Sequence, residues 1–250
     1  MGALRALIWD VDGTVAETEA EGHLPAFNEA FAALGLPWRW SAGHYGRLLH
    51  VTGGRERLLH DMAARADAPP PAERAALAAE LHKRKNALYA ERVARGAIAA
   101  RPGVLRLMDE CTRAGVMLAI ATTTSANNAE ALFARLLGPA WRGRFAAVAC
   151  GEDAAAKKPD PLVYRLVLQR LDLMPDEAFA IEDSPVGLAA ARGAGIECGI
   201  TASVFFADAC FDGAAWVRAD LETPAPMTLH GLRQGGSVKI GPSPAPASRP

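Results

Sequence analysis

The sequence predicts an α/β protein, a Rossmann-like doubly wound parallel sheet with an inserted α-helical cap. Three observations carry that prediction. Short apolar runs recur along the chain with helix-spaced segments between most of them, the alternation that βαβ crossovers produce. Residues 16–95, after the first run, contain no strand-like stretch. Polar clusters follow four of the apolar runs, each on the carboxyl side, where open α/β sheets bind ligands.

In chain order, the strand candidates are "ALIW" before Asp10, "VMLAIA" at 116–121, "AAVA" at 146–149, "AFAI" at 178–181 and "IECGI" at 196–200. Continuous apolar runs of this length suit strands buried on both faces. Leu24, Phe27, Phe31 and Leu34, at steps of three and four, mark one face of a helix. The stretch "PPPAERAALAAELHKRKNALYAERVA" reads as a loop followed by a long helix, and "GVLRLMDECTRAG" as a helix that Gly115 caps before the next strand. The expected organisation is a discontinuous core, 1–15 and 96–222, a helical cap at 16–95, and a Pro-, Gly- and Ser-rich tail from 223 to 250 whose last ten residues, at least, are expected to be disordered. The insert leaves and returns where the first strand ends, so it is placed to close over the site as a lid.

Composition narrows the partners. The 250 residues are half hydrophobic and carry a net charge of −1, enough for a sizeable core and without the charge excess that draws a protein to nucleic acid or an anionic membrane. A small molecule is the expected partner and a monomer the expected state. Cys111, Cys150, Cys198 and Cys210 stand far apart with no CxxC spacing, as buried thiols rather than ligands. The N-terminal apolar run is too short for a signal segment, and no apolar run is long enough to cross a membrane, so the expected location is the cytoplasm.

The chemistry begins at "DVDGT", residues 10–14. In an extended strand Asp10 and Asp12 point the same way, and two carboxylates that close need a cation between them or a shared proton. The other clusters are "TTTS" at 122–125, "KKPDP" at 157–161 and "EDSPVG" at 182–187. Phosphoryl transfer needs a nucleophile, a proton donor, cations and positioning donors. Asp10 can attack phosphorus, and Asp12 can protonate the leaving oxygen and then deprotonate water. Gly13 lets the backbone approach a phosphate, Thr122 supplies a hydroxyl, and Lys158, next to Pro159, a charge. Glu182 and Asp183 add oxygen ligands suited to Mg²⁺, which would share the gap with Asp10 and Asp12. Thr122 could instead cap the following helix. On the lid side, Arg55 in "TGGRER" and Lys85 are the basic candidates for a second anion. Glu17, His23 and Thr123 are candidates for contacts with the substrate, Thr52, Gly53 and Gly54 for shaping the lid loop, and Tyr45 for packing, with substrate contact as its alternative.

The four clusters, in this order, resemble the signature motifs of the haloacid dehalogenase superfamily. The resemblance implies an aspartate nucleophile at Asp10, a general acid/base at Asp12, a phosphate-stabilising pair at Thr122 and Lys158, an acidic Mg²⁺ motif at Glu182 and Asp183, and a helical cap of the C1 type. Asp at position 12 points to the phosphatase and mutase branches. "DVDGTVAETE", "AFNEAFAALG", "TGGRERL" and "ATTTS" are similar to the CbbY and β-phosphoglucomutase-like subfamily, which implies a phosphatase of sugar bisphosphates such as xylulose 1,5-bisphosphate, an inhibitor of Rubisco in the Calvin cycle. Two departures stand out: "EAEGHLPAFN" is one residue longer than the usual version, which could shift His23, and Val186 stands where many relatives have Asn. The alternatives are a phosphosugar mutase and a catalytically silent binding protein on the same scaffold.

Overall fold

A computed structural model describes residues 3–233. Six strands form one parallel sheet: β1 (Ala6–Trp9), β2 (Met117–Ala121), β3 (Ala147–Ala149), β4 (Ala178–Glu182), β5 (Glu197–Thr201) and β6 (Trp216–Arg218), in the order β3-β2-β1-β4-β5-β6. The fold is thus the doubly wound α/β class read from the sequence. Five strands lie within a residue of the apolar runs that mark them; β6, three residues long, is too short to show a period.

Alternation of side chains explains why both faces are covered. Leu7 and Trp9 of β1, with Leu118, Ile120, Phe179 and Ile181, face one core closed by α5 (Val104–Arg113) and α6 (Ala126–Leu137). Ala6 and Ile8, with Ala119, Ala121, Ala178 and Ala180, face a second core under α7 (Leu162–Leu171) and α8 (Pro185–Gly193). The alanines on this second face let those helices lie close.

Between β1 and α5 the described chain is helical: a five-residue π turn (Glu19–His23), then α1 (Leu24–Ala33), α2 (Ala42–Leu48), α3 (Gly54–Ala64) and α4 (Pro71–Ala94). These helices have a core of their own, built on Phe27, Phe31, Trp38, Trp40, Tyr45, Leu58, Met62 and Leu81. The Phe27 and Phe31 face is the one the three-four spacing marks. The two connections to the sheet are tied together by an Ala16–Ala100 bridge and by Arg101 N–H on Val15 O at 2.8 Å.

The segment from 223, marked by composition as a tail, begins as packed chain. Met227, Leu229 and Leu232 are buried against the α5 side of the sheet, and a short helix, α9 (Leu229–Arg233), starts there. Three apolar residues in a Pro-rich stretch are enough to anchor it. The last ten residues, expected to be disordered, lie outside the described residues.

Candidate active site

In strand order 3-2-1-4-5-6 the chain reverses its direction of travel between β1 and β4, and ligands bind in the crevice beyond the carboxyl ends at such a reversal. Asp10 follows β1 directly; Glu182 ends β4, and Asp183 comes next. Lys158 enters from the connection between β3 and α7. Its Nζ donates to Asp10 Oδ1 at 2.6 Å, Glu182 Oε1 at 2.6 Å and Ala121 O at 2.9 Å. Lys157 instead turns back onto the carbonyls of Gly151 and Ala154.

Asp10, Glu182 and Asp183 are all buried, and each can place an oxygen within 4.8 Å of the others. Burial, with Glu182 adding to it, pushes Asp10 up to about 7 against the pull of Lys158. Burial, then Asp10 and Glu182, lifts Asp183 well above the usual carboxylate range. Lys158 is held above an ordinary lysine because the attraction of Asp10 and Glu182 outweighs burial. Fully ionised, the three carboxylates would outnumber the one ammonium by two negative charges, the charge of a divalent cation, whose binding would replace the protons that burial favours. All the candidate ligand atoms are oxygens, the donor type of hard cations. Gly13 makes room for this group: at φ +83° it favours glycine, and a Cβ there would stand 2.1 Å from Asp183 Oδ2. The local sequence of "EDSPVG" serves the same end. Ser184 caps α8 by accepting Gly187 N–H at 3.2 Å, Pro185 opens the helix, and a Cβ at Gly187 would collide with Glu182.

The Asp12 carboxylate is not in this group, contrary to the expectation that it joins the metal ligands. β1 ends at Trp9, so strand alternation no longer governs residue 12, and the side chain turns toward the helical insert. Its Oδ1 accepts from Thr18 Oγ1 at 2.6 Å and lies 3.1 Å from His23 Nε2. Burial raises its pKa, yet His23, Thr18 and Lys85 outweigh burial and hold it below the ordinary range. The π turn that ends at His23 leads directly into α1 and sets His23 beside Asp12.

Two adjoining cavities share Asp12, Glu19, Arg57 and Thr123 in their walls. The smaller, about 50 Å³, reaches Asp10, Lys158, Glu182 and Asp183. The larger, about 230 Å³, runs outward past His23, Lys85, Thr124, Asn128 and Arg55. Lys85 is buried over the rings of Phe27 and Tyr89, and burial, opposed by Glu19 and Asp12, brings it down to about 8.

Other expected contacts lie elsewhere. Glu17 lines neither cavity; its Oε1 pairs with Arg101 Nε at 3.3 Å, at the junction of the two connections. Glu19 takes the place by the site, hydrogen-bonded to Tyr45 Oη, which accepts from Arg57 Nη1 at 2.7 Å. Of the two arginines near the start of α3, Arg57 is therefore the buried one, while Arg55 is exposed at the rim. Gly13 N–H donates to Ala16 O at 2.8 Å, and the missing side chain gives space to Asp183. Thr122 is buried, lines neither cavity, and accepts from Thr124 N–H at 3.2 Å; Ser125, not Thr122, caps α6. Thr52 Oγ1, on the loop before α3, donates to Lys158 O at 2.6 Å, a direct tie between the insert and the sheet. Tyr45, read as a packing aromatic with substrate contact as the alternative, packs and also hydrogen-bonds Glu19 and Arg57.

The model of the haloacid dehalogenase-like hydrolases matches residues 4–195. The chain belongs to that family. Within it, the chain is 48% identical over 232 residues to the plasmid CbbY protein of Cupriavidus necator, covering 91% of this chain and 90% of that one. It is also similar to two solved structures of CbbY from Rhodobacter sphaeroides, each 41% identical and covering 92% of this chain and 99% of the other. One is a mutant in complex with xylulose 1,5-bisphosphate (TM-score 0.85), the other is in complex with phosphate (TM-score 0.86). As a member of this family, the chain carries the subfamily resemblance of its "DVDGTVAETE" stretch through most of its length.

Proposed function

We propose that the chain is a Mg²⁺-dependent phosphatase of sugar bisphosphates, xylulose 1,5-bisphosphate foremost, working through an aspartyl-phosphate intermediate at Asp10. The observation that carries the reading is the convergence of Asp10, Lys158, Glu182 and Asp183 on one small cavity that opens into a larger, partly cationic one. Similarity to CbbY bound to xylulose 1,5-bisphosphate supports the substrate.

Asp10 attacks phosphorus while Asp12 gives a proton to the sugar oxygen that leaves. Water then attacks the phosphoaspartate, with Asp12 taking its proton and inorganic phosphate departing. Asp10, Glu182 and Asp183 would hold Mg²⁺, which would supply positive charge against the phosphate oxygens. Lys158 adds its own charge and holds the Asp10 carboxylate in line. The free site keeps Asp12 ionised, the form needed for the second half of the cycle. A substrate phosphate brought beside it raises its proton affinity, as any nearby anion does, and so prepares the first half. Lys85 and Arg57 receive the distal phosphate, and the helical insert acts as a lid that keeps bulk water out.

A panel of sugar mono- and bisphosphates, assayed with Mg²⁺, tests this reading. Release of one phosphate per substrate consumed, fastest with xylulose 1,5-bisphosphate, is the expected result. Conversion to an isomer without free phosphate would mark a mutase. No Mg²⁺-dependent turnover of any ester, p-nitrophenyl phosphate included, would mark a silent scaffold.

A further inference from the structure

Asn128 lies in the first turn of α6, buried, on the wall of the larger cavity. Its Nδ2 donates to Asn86 Oδ1 on α4 at 3.2 Å and to Thr124 Oγ1 at 3.5 Å. Its Oδ1 has no hydrogen-bond partner among the described residues. Chemistry fixes the orientation of the amide. Asn86 Oδ1 also accepts from Lys85 Nζ at 3.4 Å, and an ammonium only donates, so the Asn86 atom between them is an oxygen. Asn128 must then present its NH₂ to Asn86, which leaves its carbonyl oxygen as a buried acceptor without a donor among the described residues.

A buried acceptor without a donor is costly, and buried polar atoms are nearly always paired. Arg57, on the wall of the same cavity, already donates to Tyr45, and Lys85 to Asn86. A phosphate dianion offers acceptors, not donors, and is repelled by a carbonyl oxygen. A hydroxyl group supplies the missing donor.

We propose that Asn128 is a specificity-determining residue whose Oδ1 accepts a hydrogen bond from a hydroxyl on the carbon chain of the substrate. The cavity thereby prefers polyhydroxylated phosphate esters to deoxygenated ones, because a site built to meet a hydroxyl is left unpaired by an analogue that lacks it. The inference rests on the phosphosugar reading above. It also links recognition to closure, since the Asn128 amide is oriented by Asn86 of the insert while Asn128 itself belongs to the sheet side.

The test compares kcat/KM of the full-length, Mg²⁺-loaded enzyme for xylulose 1,5-bisphosphate with that for pentane-1,5-diol bisphosphate, the same five-carbon span without its oxygens. In Asn128→Ala the ratio of the two is expected to fall about tenfold, the worth of one hydrogen bond. Asn128→Asp keeps an acceptor oxygen and loses the donor to Asn86; its ratio is expected to stay within about threefold of wild type, and it serves as the informative variant if Asn128→Ala does not fold. A wild-type ratio in Asn128→Ala, with both substrates slowed equally, overturns the inference and leaves the phosphosugar reading standing; if Asn128→Ala does not fold, a ratio in Asn128→Asp that falls tenfold or more does the same. A wild-type enzyme that hydrolyses p-nitrophenyl phosphate but neither bisphosphate overturns both.

Discussion

Lys158 has two carboxylates within hydrogen-bond distance and still leaves a third, Asp183, without a cation. Gly13 is what allows that third carboxylate to sit so close. Gly13→Ala combines a strained positive φ with a collision at Asp183, so we expect a loss of about 1–3 kcal/mol of stability and a weaker response to Mg²⁺. Thermal melts with and without Mg²⁺ check both; an unchanged melt would contradict the packing account. Lys85 gives a pH prediction. Its pKa of about 8 leaves it charged below that value and neutral above it. A charged lysine binds an anionic substrate better, so KM should rise as pH climbs through 8 to 9, and Lys85→Arg should flatten the rise. A wild-type KM independent of pH across that range would remove Lys85 from the binding site. At this scale the core motifs were legible in the sequence, because three of the four adjoin the end of an apolar strand run and the fourth, around Lys158, lies in the connection after β3. Glu17 and Glu19 were not separable, since the π turn that begins at Glu19 and runs into α1 breaks any simple helical phase.

The same turn supplies the test at the level of elements. A π turn is an α-helix carrying one surplus residue, so removing the exposed Glu21 should restore a regular α turn and leave α1 and His23 where they are. The deletion variant should keep its activity within about threefold and melt no lower than wild type. A loss of about a hundredfold would show that the turn itself shapes the site. The choice of Arg57 over Arg55 also belongs here. Periodicity favours Arg55, which stands three residues before Leu58 and seven before Met62, the spacing of one helix face, yet the structure buries Arg57. Tyr45 and Glu19, from two other segments, make the choice through contacts that only the folded chain creates. Ser125 and Ser184 are the reverse case, since a serine three residues before a satisfied backbone N–H is a local cap and needs no tertiary information.

For the whole molecule, the account joins two bodies of packing, the covered sheet and the helical insert, across the cavities between them. The sheet was legible because its strands are apolar on both faces; β6 and the packing of Met227, Leu229 and Leu232 were not, being too short to carry a period. The tie from Thr52 to Lys158 O, 106 residues away in sequence, was likewise invisible. If that tie favours the closed arrangement, Thr52→Val should raise KM several-fold, about the worth of one neutral hydrogen bond, with a smaller change in kcat. The central claim is covalent catalysis at Asp10, and phosphate release by Asp10→Asn with xylulose 1,5-bisphosphate and Mg²⁺ tests it most directly. The account predicts a folded protein whose release falls by at least about 10,000-fold. Release within about tenfold of wild type would contradict it.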